Sequence, residues 1–167
     1  MSNHFQGTQN NPFHISIGGV VVNKEGKIAC HYFERLNHKN MRILTDFVLL
    51  MRETIEENET IEECLHRGLM EEFGMKAELK CYLGSIVSHY SVRDTEVVVE
   101  KTTLYFLCDF ISQDESLRSQ EDIERESKIQ WFDPKELVVK MKEQAKRIGR
   151  KDMEESNVIE RMMEKLG

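Results

Sequence analysis

The residues that could do chemistry are concentrated between 53 and 75, ETIEENETIEECLHRGLMEEFGM. Acidic side chains crowd its first half, and the pair Glu71–Glu72 stands near its end, just before Phe73 and Gly74. Clustered carboxylates repel one another unless a cation sits among them. Hard divalent cations such as Mg²⁺ take oxygen ligands and keep several waters, which suits a phosphorylated substrate. A solvated acidic helix face is the plain alternative on spacing alone.

The element that must position these groups is a helix. Ile61, Cys64, Leu65, Leu69 and Phe73 recur at three- and four-residue steps, the period of an amphipathic helix. Thr60 or Asn58 can cap its first turn, Glu62 and Glu63 suit the N-terminal dipole, and Gly74 suits its C-terminal end. The spacing predicts a loop over about 51–59 and a helix over about 60–73. Positions 68, 71 and 72 then share one helix face.

This stretch resembles the Nudix box, G-x5-E-x7-R-E-U-x-E-E-x-G-U, where U is a bulky aliphatic residue. Glu59, Arg67, Leu69, Glu71, Glu72, Gly74 and Met75 match in order. Two positions depart: Glu53 stands where the box begins with glycine, and Gly68 stands where the glutamate of the Arg-Glu pair belongs. The resemblance implies an α/β fold, an α/β/α sandwich with a mixed β-sheet. It also implies hydrolysis of a diphosphate linkage in a nucleoside diphosphate derivative with Mg²⁺ or Mn²⁺.

Carried over residue by residue, Glu71 and Glu72 are the expected metal ligands, with a main-chain carbonyl near Arg52 as a further one. Arg67 would orient the glutamates by ion pairing, and Glu59 would support the loop or the outer metal shell. The glutamate missing at 68 belongs, in the family, to the metal-binding or base-providing set. Glu96, Glu100, Glu121, Glu124 and Glu126 are replacement bases, with Glu124 and Glu126 preferred because a loop before a late Trp-Phe strand often contributes there. The competing reading is a catalytically impaired Nudix-fold module that binds a nucleotide or a protein partner.

The rest of the chain sets the scaffold. Residues 14–22 (HISIGGVVV) read as a strand turning at 23–26 into a partner strand over 27–33. The pair Gly18-Gly19 marks either a bulge or a close ligand approach. Residues 34–46 read as a polar excursion before the apolar run 47–51. Residues 76–89 read as one or two strands, and 96–110 is the strongest strand signal, rich in Val, Thr, Tyr and Phe. A charged loop follows over 112–125, then a strand over 126–132 and a helix from 134 to about 146 with Pro134 in its first turn. Residues 1–12 read as a flexible arm and 13–146 as the domain. The tail, 147–167, reads as a helix packed on the domain or on a second copy of the chain.

Composition bounds the partners. A net charge of −7 over 167 residues argues against sequence-independent nucleic-acid binding and leaves a small-molecule nucleotide or diphosphate as the expected partner. Cys30, Cys64, Cys81 and Cys108 are widely spaced in apolar segments, as expected of reduced cysteines used as small hydrophobes. With no membrane-length apolar run, the expected setting is cytoplasmic. His31, His89, Tyr90, Arg93, Tyr105 and Phe106 are pocket candidates, against a plainer role in the core.

Overall fold

A computed structural model describes residues 3–37, 43–121 and 126–167. Its strands are β1 (Phe13–Val22), β2 (Ile28–Asn37), β3 (Ile43–Leu49), β4 (Met51–Thr54), β5 (Met75–Ser91), β6 (Val98–Gln113) and β7 (Lys128–Phe132). Its α-helices are α1 (Ile61–Gly68), α2 (Pro134–Ile148) and α3 (Ser156–Leu166). The described strands join in one mixed sheet. The central β1 runs parallel to β6 on one side and antiparallel to β4 on the other, touching β2 only at Val22–Ile28. From there β2 diverges to pair with β3 and β7.

β1 is buried on both faces, which is why it reads as a continuous apolar run rather than an alternating one. Ile17 and Val21 point to one side, into a core built with Cys64, Leu65, Leu69 and Phe73 of the helical segment after β4. Val20 and Val22 point to the other, against Leu137 and Met141 of α2 and Val158, Ile159 and Met162 of α3. Helices on both faces of a mixed sheet make the expected α/β/α sandwich.

Several local expectations are corrected. The Gly18-Gly19 pair does not mark a bulge: the β1–β6 register runs without a shift from Phe13 to Val22. Both glycines make room for core side chains instead. A Cβ on Gly18 would lie 2.5 Å from the Tyr105 ring, and one on Gly19 would lie 3.1 Å from Met51 Cε. The polar excursion at 34–46 is largely β2 and β3, whose Phe33 and Phe47 pair across the strands; its segment 38–42 lies outside the described residues. Residues 75–91 form a single long strand with register shifts against β6.

Residues 3–12, expected as a flexible arm, lie along the sheet. Ile15 N–H donates to Phe5 O at 2.9 Å, and the Asn3 amide donates to Ile55 O at 2.9 Å. The tail helix α3 buries Val158, Ile159 and Met162 in the domain's own core. All four cysteines are free, and Cys30, Cys64 and Cys108 are buried. No described helix is long and apolar enough to cross a membrane.

Candidate functional site

The acidic stretch folds as β4, a loop, α1 and one wider turn. Thr60 is the cap: its hydroxyl accepts from Glu63 N–H at 3.1 Å while the Glu63 carboxylate accepts from Thr60 N–H at 2.8 Å. That reciprocal capping box satisfies two donors that a helix start leaves open. Asn58 takes the left-handed backbone (φ 65°) that closes the preceding loop. The helix expected over 60–73 is α-helical only to Gly68. Leu69–Phe73 is a π-helical turn in which Gly74 N–H reaches back to Leu69 O, and Gly74 closes it with φ 62°. Such single π turns frequently sit at functional sites, and this one carries both Glu71 and Glu72.

Arg67 is the hub. Its Nε and Nη2 hold the two oxygens of Glu59 at 2.7 and 3.0 Å, and Nη2 also donates to Thr54 O at 2.8 Å. Nη1 faces Glu53 Oε1 at 3.3 Å, Glu71 Oε2 at 3.5 Å and Glu56 Oε1 at 3.9 Å. The fork-shaped grip of guanidinium on carboxylate is a strong, oriented contact. It holds the Glu59 carboxyl below its usual range and raises the Arg67 pKa. Glu59 also accepts from Glu56 N–H at 2.9 Å, so it ties the loop to the helix. Burial raises the Glu53 pKa; Arg67 opposes that rise and the neighbouring Glu71 adds to it.

Glu71 and Glu72, adjacent in sequence, have opposite environments. Glu71 is 43% exposed, whereas Glu72 is 7% exposed and meets His31 Nε2 at 2.8 Å. His31, 1% exposed, contacts Ser127 Oγ through Nδ1 at 2.6 Å. Burial, reinforced by the charges of Arg118 and Arg52, pushes His31 down to about 3. The imidazole is therefore neutral near pH 7. In that neutral form an Nε2–H donates to Glu72 while Nδ1 accepts from Ser127. Arg118 backs this pair, donating to Glu72 O at 2.6 Å, Ser127 O at 3.0 Å and Ser127 Oγ at 2.9 Å.

A scan against protein-family models matches residues 12–152 to the NUDIX domain. The chain belongs to the NUDIX domain family. A search of curated proteins finds no match. Among solved structures, a NUDIX hydrolase from Nitrosomonas europaea superposes with a TM-score of 0.57 at 14% identity, covering 91% of this chain and 86% of that one. The MutT protein from Methanosarcina mazei Go1 gives 0.57 at 14% identity over 95% and 99% of the two chains. The E. coli ORF135 protein gives 0.53 at 15% identity over 80% and 83%. These likenesses show the shared Nudix fold.

Within that fold, Glu53, Glu59, Arg67 and Glu71 come together, and Glu72 lies behind them in the protein interior. Glu126 is exposed and directly precedes Ser127, the His31 partner; Glu124 lies outside the described residues. Glu121 is exposed in the loop before β7. Glu100 is paired with Phe13 and approaches His89 at 3.9 Å, four residues along β6 from the level of Ile17 and Glu53. Glu96 lies in the turn between β5 and β6. Arg52 sits in β4 opposite Gly18, beside Glu53.

The pocket candidates are dispersed. Tyr105 is core, with its hydroxyl on Glu155, and Tyr90 contacts His14. Arg93 is exposed beside Asp94, Phe106 packs on Tyr82, and His89 lies near Asp152 and Glu100. His31 reaches the box through Glu72. Ser127 and Arg118 escaped sequence reasoning, since a serine and an arginine in a charged loop carry no periodic or motif signal.

Proposed function

We propose that this Nudix chain hydrolyses a diphosphate linkage in a nucleoside diphosphate derivative, with Mg²⁺ or Mn²⁺ as cofactor. The observation that carries the reading is the fan of carboxylates on Arg67, with Glu59 gripped at 2.7 and 3.0 Å and Glu71 at 3.5 Å on the exposed side. No three His, Cys, Asp or Glu side chains among the described residues form a ready cage for an ion. What the site offers is all-oxygen and sparse, which fits Mg²⁺, an ion commonly held by one or two carboxylates plus waters and substrate phosphates.

Glu71 and the carbonyl of Arg52 are the groups we assign to such an ion. A bound divalent cation supplies charge stabilisation at the phosphoryl oxygens and a more acidic attacking water. Arg67 orients Glu71 and holds the loop through Glu59. Glu72 is assigned with Glu71 as in the family pattern, and its hydrogen bond from neutral His31 fixes the direction of its carboxylate. Glu126, exposed and next in sequence to Ser127, is the candidate base.

The test is product release from a panel of nucleoside diphosphate derivatives with Mg²⁺ or Mn²⁺. Turnover that falls by at least about a hundredfold in Glu72→Gln and Glu71→Gln supports the reading, since a misplaced catalytic group costs on that order. Absence of turnover across the panel overturns it. A second reading, a Nudix module that binds a nucleotide or a protein without cleaving, is favoured by one feature: Gly68 brings no carboxylate to the helix face. Nucleotide-induced thermal stabilisation without turnover selects it.

A further inference from the structure

A helix leaves its last carbonyls without partners inside the helix. At the end of the π turn, those of Glu71, Glu72, Phe73 and Gly74 are all met by one short segment, 113–119. Ser119 N–H donates to Glu71 O at 2.7 Å, and Arg118 Nε donates to Glu72 O at 2.6 Å. The Gln113 side-chain amide donates to Phe73 O at 3.4 Å, and Asp114 N–H donates to Gly74 O at 2.8 Å. The fit is close: a Cβ on Gly74 would collide with Asp114 O, so the glycine serves this approach as well as the left-handed φ of 62°.

Arg118 closes a ring. Its Nη1 donates to Ser127 O at 3.0 Å and its Nη2 to Ser127 Oγ at 2.9 Å. Ser127 Oγ lies 2.6 Å from His31 Nδ1, and His31 Nε2 lies 2.8 Å from Glu72 Oε2. The contacts leave Glu72 at its carbonyl and return at its carboxylate. A guanidinium can only donate, so Ser127 Oγ accepts from it and turns its own hydrogen to Nδ1. The proton of the neutral imidazole is then on Nε2, aimed at the carboxylate. We infer that Arg118 is a positioning residue for the Glu71–Glu72 pair. It fixes the Glu72 main chain directly and the Glu72 carboxylate through Ser127 and His31, while Ser119 beside it holds Glu71. The opposite environments of the two glutamates are thus held from outside the box. For turnover this rests on the hydrolase reading above; as geometry it does not.

The imidazole nitrogen resonances of His31 in the full chain test this without any substrate. Arg118→Lys keeps the charge and loses the planar fork. The His31 Nε2 signal is expected to shift, and the amides of residues 71–74 with it, although the exchange is made two hydrogen bonds away. Should Arg118→Lys fail to fold, Ser127→Ala decides. It cuts the ring, spares the bond from Arg118 to the Glu72 carbonyl, and is expected to move the same His31 signal. A His31 signal that stays in place in the folded variant overturns the inference.

Turnover supplies the second readout. Loss of an outer partner of a ligating group costs about 10- to 100-fold in activity, so Arg118→Lys is expected to lower kcat by about tenfold or more with KM unchanged. Made in a Glu72→Gln background, the same change is expected to cost nothing further, because a residue that acts through Glu72 then has nothing left to position. An equal further loss in that background, or an unaltered kcat in the single variant, makes Arg118 a general brace of its loop and overturns the inference. Where Glu72→Gln is too slow to measure, the His31 signal alone decides. A native chain without turnover whose His31 signal still follows Arg118 overturns the hydrolase and leaves this inference standing. Turnover with both kcat and the His31 signal indifferent to Arg118 does the reverse.

Discussion

A carboxylate grafted at position 68 meets two neighbours at once, Glu53 Cβ at 2.7 Å and Met51 Sδ at 3.0 Å from its own Cβ. The methionine is flexible, but a Cβ on a paired strand moves only with its backbone. Relieving the glycine of its helix-interior entropy gains about 0.5–1 kcal/mol, while overpacking a filled site costs about 1–3 kcal/mol. Gly68→Glu alone is therefore expected to lower stability in urea denaturation, and adding Glu53→Gly is expected to recover the loss. A single variant as stable as the native chain would show that β4 and α1 do not meet as described. The obvious repair of the box is thus a poor test of activity unless Glu53 is changed with it.

At the scale of elements, α3 is tied to the sheet by a buried carboxylate. Glu155, 3% exposed at the start of α3, accepts from Tyr105 Oη of β6 at 2.5 Å and from Leu50 N–H, between β3 and β4, at 3.1 Å. Burial and the charge of Glu155 raise the Tyr105 pKa well above its usual value, so the phenol keeps its proton and donates. Tyr105→Phe preserves the ring over Gly18 and removes only the hydroxyl. Leaving a buried acceptor short of a donor costs about 1–3 kcal/mol, read as a fall in the urea midpoint with the slope unchanged. An unaltered midpoint would mean that this contact does not hold α3 in place.

The amphipathic period of 61–73 and the enrichment of 96–110 made α1 and β6 legible, because both patterns are local. The π turn was not, since it differs from an α-turn only in which carbonyls its backbone N–H groups reach, and no side-chain spacing records that. The β2–β3 pairing was hidden because many of its residues are polar and the paired positions, such as Phe33 and Phe47, meet only in the fold. The box residues were legible by type and order. The meeting of Glu53 with Gly68, and of His31 with Glu72, was not, because only the folded sheet brings those positions together.

At the scale of the whole molecule, the segment 3–12 and the sheet are joined through His14, a side chain only 6% exposed. Its Nδ1 lies 3.2 Å from Gly7 N–H and 3.2 Å from Tyr90 Oη, and its Nε2 lies 3.1 Å from Ser16 Oγ and 3.0 Å from Thr54 Oγ1. Since a backbone N–H can only donate, Nδ1 must be the unprotonated nitrogen and the imidazole must be neutral. Burial, with Lys101 and Arg52 adding to it, pushes His14 down to about 4. The folded value lies below the unfolded one, so the unfolded chain takes up a proton first as pH falls. Stability from this group is complete above about pH 6.5 and is lost on descent toward 4, at up to about 1.4 kcal/mol per pH unit. His31, pushed down to about 3 by the same cause, adds a slope of the same sign.

The variant His14→Gln keeps an acceptor for Gly7 and does not titrate. The difference in urea midpoint between native chain and variant is expected to be constant above pH 6.5 and to shift in favour of the variant between 6.5 and 4. Hydrogen exchange at the Gly7 amide should accelerate over the same range in the native chain alone. A midpoint difference that stays constant from pH 8 to 4 would remove His14 from the acid response and leave the packing of residues 3–12 to Phe5 and the backbone bond to Ile15.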